Sequence, residues 1–291
     1  EIGKGFNNAT ANLFMSAQVA PGIRVQLTSY LSARHHNETW VKDGFIQIDE
    51  SPIDFDALKT LMKYLTVKIG HFEVNYGDMH YRRSDNGQAI YNPFVGNSIM
   101  DAFTTEVGAE VVWQYNGFLA VGAITNGEIR GQLARPNDRD PAHMVKLGYD
   151  KQINDDLRIR LTGSWRDQNS AVSNTIYSGD RAGSRYYYVL ENFRATESAQ
   201  FTSGRINPGF SDEMTGFMIN PFIKFRGLEL FGMHETAKGR SATETATRDV
   251  TQQMAELVYR FLPGEKLYVG GRWNVVDGDL GLAGGDLRAG E

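Results

Sequence analysis

The chain has 291 residues, with no cysteine, 31 glycines, 41% hydrophobic residues and a formal net charge of −5 from 30 basic and 35 acidic side chains. A general nucleic-acid binder would more often be basic, and the absence of cysteine removes disulfide and thiolate chemistry. No run of about 18 apolar residues occurs, which excludes a membrane-spanning helix. The mean hydropathy of −0.40 still leaves a transmembrane barrel open, because a wetted lumen dilutes its apolar band.

Extended segments with a period of two recur from end to end. The first two, Asn12 to Val19 and Ile23 to Ala33, are joined by Pro21-Gly22 and predict a tight hairpin. In the second, Ile23, Val25 and Leu27 lie on one face, with Arg24, Gln26 and Thr28 on the other. Trp40 to Ile48 follows, although Asp43 and Phe45 fall on the same face and blur its pattern. The stretch 51-SPIDFDALKTLMKYL-65 is the one helical signal, an insertion with Pro52 near its start and Asp54 or Asp56 as a cap.

Further strands are predicted at Leu65 to Phe72, Phe103 to Gln114, Phe118 to Asn126, Met144 to Asp150, Leu157 to Trp165, Gly216 to Arg226, Leu228 to His234, Val250 to Phe261 and Lys266 to Val275. Pro221 cannot donate to a ladder, so a bulge or a shortened strand is expected around it. The tail 277-DGDLGLAGGDLRAG-290 reads as a loop. Connections alternate between short, as at Tyr115 to Gly117 and 262-LPGE-265, and long, as at Asn75 to Ala102 and Arg166 to Thr215. Short periplasmic turns and longer extracellular loops give a transmembrane barrel this rhythm. Strands of about 9 to 11 residues suit a tilted bilayer crossing. Trp165, Trp273 and Tyr115 fall near strand ends, where interfacial rings belong. The expected fold is all-β: a transmembrane antiparallel β-barrel, with residues 1–291 forming a single outer-membrane barrel domain. A large soluble all-β protein is the alternative.

Two stretches carry a family likeness. The run 66-TVKIGHFEVNYGD-78 with the preceding 44-GFIQIDESP-52, and the hairpin 105-TEVGAEVVWQYNGFLAVGAITNG-127, resemble phosphate-selective porin-like outer-membrane proteins and Bacteroidetes-type porins. The likeness spans roughly residues 40 to 165. It implies a barrel of about sixteen strands, export to the outer membrane of a Gram-negative cell, trimers, and diffusion of small hydrophilic solutes. Only twelve to fourteen segments are visible in the sequence, and the ending 288-RAGE-291 lacks a terminal aromatic strand, so the chain is expected to be incomplete at its C-terminus. Phosphate selectivity is not carried over, since no local motif secures it.

A porin selects by lumen width and by the field of its lining side chains. Alternation nominates Arg24, Lys68, Arg158, Arg160, Lys224, Arg226, Glu256, Arg260 and Arg272 as lumen-lining. Basic residues dominate that set and predict a mild anion preference. The loop 74-VNYGDMHYRRSDNGQAIYNPFVGN-97 is the candidate for an inward-folded constriction, with Tyr81, Arg82, Arg83 and Asp85 meeting solute. An ordinary extracellular loop is the competing reading.

No catalytic or metal site is expected: HExxH and a phosphate-cradling lysine motif are both lacking, and no spacing marks a triad. The triplets 138-DRD-140 and 277-DGD-279 read as exposed acidic turns before they read as calcium ligands. The chain is therefore expected to be no enzyme and to need no cofactor. Expected partners are outer-membrane lipid and lipopolysaccharide, small hydrophilic solutes, and a homotrimer or an envelope complex. Two further readings stay open, a plugged barrel serving as a structural anchor or partner subunit and an outer-membrane enzyme whose active groups assemble from distant loops.

Overall fold

The computed structural model describes residues 11–31, 39–82, 94, 97–129, 139–177, 193–196, 200, 204–281 and 286–290. Thirteen strands form one antiparallel sheet in which every strand pairs with its neighbours in sequence. They are β1 (Ala11–Ala20), β2 (Ile23–Leu31), β3 (Trp40–Ile48), β4 (Leu65–Glu73), β5 (Thr105–Tyr115), β6 (Phe118–Thr125), β7 (Ala142–Gln152), β8 (Leu157–Gln168), β9 (Glu213–Phe225), β10 (Leu228–Arg240), β11 (Arg248–Phe261), β12 (Leu267–Asp279) and β13 (Asp286–Gly290). Among the described residues β1 and β13 are the two ends of the sheet.

The twelve expected strands are all present. The thirteenth corrects the reading of the tail as a loop: β12 runs on to Asp279, and Asp286–Gly290 turns back to pair with it from Val275 onwards. Glycine-rich composition concealed the strand, because backbone pairing needs no side-chain period.

Turn chemistry sets the short end of the sheet. Asn116-Gly117 supplies two consecutive positive φ angles, 47° and 91°, the pairing that a two-residue hairpin of matching twist requires. The β1–β2 turn needs Gly22 (φ 66°) for a second reason as well, since a Cβ there would lie 2.3 Å from the Glu50 Cβ. Helix α1 (Asp56–Met62) occupies the β3–β4 connection as expected, but neither aspartate caps it. Phe55 stands at the N-cap without a side-chain bond, and Asp54 pairs with Lys59 instead.

Two irregularities have local causes. Between β2 and β3 the register shifts so that Thr28 faces Asp43 while Ser29 faces Val41. Lys42 and Asp43 both turn to the buried face as a result, which is what a bulge does to an alternation.

At Pro221 strand β9 is neither bulged nor shortened, contrary to expectation. The loss falls on the partner instead, because the β9–β10 pairing lapses at Gly232 and Met233 and then resumes at His234 opposite Ile219. The Asn220 side-chain amide donates to the Gly232 carbonyl at 3.3 Å, filling the place of the N–H that proline lacks. Glycine at 232 leaves room for the ring, since a Cβ there would lie 2.9 Å from Pro221 Cγ.

The two faces of the sheet differ sharply. On β8, Leu161 is 54% exposed and Trp165 39%, whereas Thr162, Ser164 and Arg166 between and beyond them are buried. The same outward apolar row continues through Phe217, Ile223, Leu230, Leu257, Val269 and Trp273. From Leu157 to Trp165 the row covers eight steps, about 27 Å along the strand, or about 20 Å of membrane height once tilted. Rings gather at the short-turn end, where Tyr115 stacks edge-on against Tyr64 at 5.3 Å and lies 6.4 Å from Trp113.

Candidate functional site: the inward segments and the cavity beneath them

The inner face of the sheet is packed by connections that fold back into it. Residues 74–80, 97–104, 171–177 and 206–212 contribute buried side chains, among them Tyr76, Met79, Met100, Ile176 and Phe210, to a cluster with Met144, Met214, Met218 and Phe231 of the wall. A segment in that position has no ladder to satisfy its backbone, so the wall must supply partners. It does so with fully buried polar residues. Ser164 accepts from the Gly77 N–H at 3.0 Å, Asn220 from Asp78 at 2.9 Å and Asn274 from Ile99 at 2.8 Å. Gln252 accepts from the Met100 N–H and donates to the Met100 carbonyl. The polar inner positions of the strands thus position the inward segments.

The charged centre of the first segment is Asp78. Its carboxylate meets Lys146 at 2.7 Å, accepts two bonds from Arg160 at 2.7 and 2.8 Å, and accepts a third from the Thr162 hydroxyl at 2.8 Å. Burial alone would raise its pKa, but the Arg160 bonds and the Lys146 charge outweigh it and hold the carboxyl well below the usual range. Tyr81 lies below, with its hydroxyl donating to Asn75 at 2.9 Å. Burial, and then the neighbouring Asp78 charge, push that phenol well above its ordinary value. Asn75 Oδ1 also accepts from Lys146, at 2.9 Å.

Beneath Asp78 lies a cavity of about 570 Å³, bordered by Gln47, Thr66 and Gln114 towards the short-turn end and by Tyr81, Phe222 and Phe231 on its sides. Four cations reach it, Lys68, Arg82, Arg158 and Arg160, against the single carboxylate of Asp78. Each is tied to an acid: Lys68 to Glu110 at 3.1 Å, Arg82 to Glu256 at 3.0 Å, Arg158 and Arg160 to Asp150 at 2.8 Å. Arg82 also lies over the Phe231 ring, 4.6 Å from its centroid.

Of the residues that alternation assigned to the lumen, Arg24, Lys68, Arg158, Arg160, Lys224, Glu256, Arg260 and Arg272 are all on the inner-face register. Only Lys68, Arg158 and Arg160 border the cavity. Arg272 pairs with Glu256 at 2.7 Å, Arg260 with Glu229 at 2.8 Å and Lys224 with Glu265 at 2.7 Å. Arg226 is a correction. It sits in the β9–β10 turn with φ 52°, its side chain 68% exposed and paired with Asp156, because the strand ends at Phe225.

Tyr81 and Arg82 do turn inward, whereas Arg83 and Asp85 lie outside the described residues, as does Asp138. Sequence reasoning missed Asp78, Lys146 and Asn220. Lys146 alternates with outward Val145 and Leu147, a signal that was present within the expected strand.

A sheet with one continuous apolar outer face and a polar inner face packed by its own loops defines a bacterial outer-membrane protein of barrel-like antiparallel fold, and no described helix is long and apolar enough to cross a membrane. The in-vitro folded OmpT, an outer membrane protein of Vibrio cholerae, superposes with a TM-score of 0.50 at 10% identity, over 97% of this chain and 71% of that one. Outer-membrane expressed OmpT of the same organism gives 0.50 at 11% identity, over 97% and 71%. OccK2 (OpdF) of Pseudomonas aeruginosa gives 0.30 at 10% identity, over 97% and 86%. No family model and no curated protein matches the chain.

The two OmpT likenesses give the barrel-like outer-membrane fold, not a phosphate-selective or Bacteroidetes-type porin in particular. They also correct the expectation of a non-enzymatic chain. The structures matched at a TM-score of 0.50 are OmpT barrels, and a wall shared with them gives no ground for excluding bond chemistry, since fold alone assigns neither transport nor catalysis.

Proposed function

We propose that the protein is a diffusion pore for small hydrophilic solutes, with a mild preference for anions. The observation that supports it is the cavity beneath Asp78, where Lys68, Arg82, Arg158 and Arg160 face one lining carboxylate. Ion pairing with Glu110, Asp150 and Glu256 weakens the field of those cations, which makes the expected preference mild. The segment 74–82 acts as the constriction and Asp78 is its anchor. The outward apolar face meets lipid and lipopolysaccharide, and the protein assembles as a homotrimer.

A second reading, a plugged barrel serving as an anchor or partner subunit, is favoured by the apolar packing above the cavity, where Met100, Ile176, Met214 and Met218 are almost wholly buried. Planar-bilayer recording of the protein separates the two. Discrete conductance steps with an anion-directed reversal potential support the pore, steps with cation preference overturn the selectivity, and a silent bilayer supports the plug.

A further inference from the structure

The β3–β4 connection is out of keeping with the end of the sheet on which it lies. Its neighbours there are turns such as Asn116-Gly117, whereas this one spends residues 49–64 on a helix and exposes large apolar side chains that a connecting turn has no need of. Ile53 is 60% exposed, Phe55 61% and Leu61 51%. Within α1, Leu58 and Met62 are four apart and less exposed than their neighbours, forming the face held against the protein. Ala57 and Leu61 form the adjoining exposed face, and Lys59 and Lys63 point another way. The helix therefore has two apolar faces, and one of them is uncovered.

We propose that this uncovered face lies in the headgroup and acyl boundary of the lipid leaflet at the short-turn end of the barrel, fixing the depth at which the wall sits. Continuity with the outer face carries the argument. Tyr64 follows the helix directly, its N–H bonds to the Leu61 carbonyl at 3.1 Å and its carbonyl accepts from Gln114 at 2.9 Å. Its ring stacks on Tyr115, which with Trp113 and Phe118 belongs to the outward aromatic row at the same end. Leu61 is thus joined through Tyr64 to side chains that meet the membrane boundary, the level at which amphipathic rings reside and at which a helix of this kind embeds its apolar face. Residues 51–64 carry Asp54 and Asp56 against Lys59 and Lys63, so their formal charges cancel. Attachment through apolar contact alone follows, and it does not depend on anionic lipid.

The chain lacks cysteine, so single nitroxide labels can be placed without removing a background. Leu61→Cys and Phe55→Cys are labelled in the full protein reconstituted in zwitterionic vesicles, with Val269→Cys on the outward row and Asp155→Cys in the β7–β8 turn as references. Correct folding of each variant is checked by heat-modifiable migration. Labels at 61 and 55 should relax with membrane-dissolved oxygen more than with an aqueous nickel chelate, as at 269, while a label at Lys59→Cys shows the reverse. The proposal is overturned if labels at 61 and 55 behave like the one at 155. It is equally overturned if both are shielded from either reagent and broadened by a second label, which would place a second copy of the chain on the face. None of these outcomes depends on whether the barrel conducts.

Discussion

Asp78 gathers Lys146, Arg160 and the Thr162 hydroxyl on one buried carboxylate, and its removal is the sharpest test at that scale. Lys146 is fully buried beside it, so Asp78→Asn strands an ammonium group in low dielectric, a loss of about 3–5 kcal/mol for a buried pair. A lower thermal midpoint in detergent and a reversal potential moved further towards anions are expected, and an unaltered reversal potential would remove Asp78 from the constriction. The pH dependence has a definite sign. The folded carboxyl titrates below its unfolded value, so its stabilisation is complete above the ordinary carboxylate range, roughly pH 4, and is lost as pH falls through the folded value. Single-channel conductance should hold constant through that range and rise only in stronger acid, as pH falls through the lower folded value. In Asp78→Asn this acid rise should vanish. Asn220 ties the same centre to the wall, its Oδ1 accepting from the Asp78 N–H while its Nδ2 donates to the Gly232 carbonyl of β10. Asn220→Ala removes two bonds and should cost about 1–3 kcal/mol, read as a loss of denaturation midpoint.

At the scale of elements, β9 and β10 show how a local defect is absorbed. Gly232 fits against the Pro221 ring, so Gly232→Val forces either strand to shift, at about 1–3 kcal/mol. If refolding yield and unfolding midpoint are unchanged, the account of the ladder gap is wrong. The strands were legible in the sequence because alternation such as 157-LRIRLTGSW-165 is a direct consequence of a wall with unlike sides. Asn116-Gly117 was legible for an equally local reason. Strand β13 was not, since its five residues, Asp286–Gly290, are too few to show a period and follow a glycine-rich stretch of sequence. The inward segments escaped for a different reason. Tyr76, Met79 and Ile99 look like loop residues with stray apolar side chains until Ser164, Asn220 and Asn274 appear opposite the backbone N–H groups of Gly77, Asp78 and Ile99, and those contacts span 87, 142 and 175 positions of the chain. Residue type predicted that Lys68, Arg158 and Arg160 would be inward, but only the fold shows the carboxylates that neutralise them.

At the scale of the whole molecule the two sides of the wall meet different solvents, and one pair of substitutions on a single strand tests this. Leu161 lies midway between Leu157 and Trp165 on the outward row and faces Pro221 and Tyr149 of the adjacent strands. In a bilayer its position is near the hydrocarbon midplane, where an arginine costs about 2–4 kcal/mol. Arg158, on the same strand but the inner face, is 46% exposed and paired with Asp150. An exposed pair of this kind contributes about 0.2–1 kcal/mol, so Arg158→Ala should leave the folded fraction nearly unchanged while altering conductance. Leu161→Arg should lower the equilibrium folded fraction in lipid vesicles, yet have little effect in a detergent micelle thin enough for the guanidinium to reach water. A soluble two-sheet protein would respond in the same way in both media, because its outward leucine would be packed against protein in each. Equal losses in vesicles and micelles would therefore reverse the assignment of the outer face, whereas a loss confined to vesicles identifies hydrocarbon as its solvent.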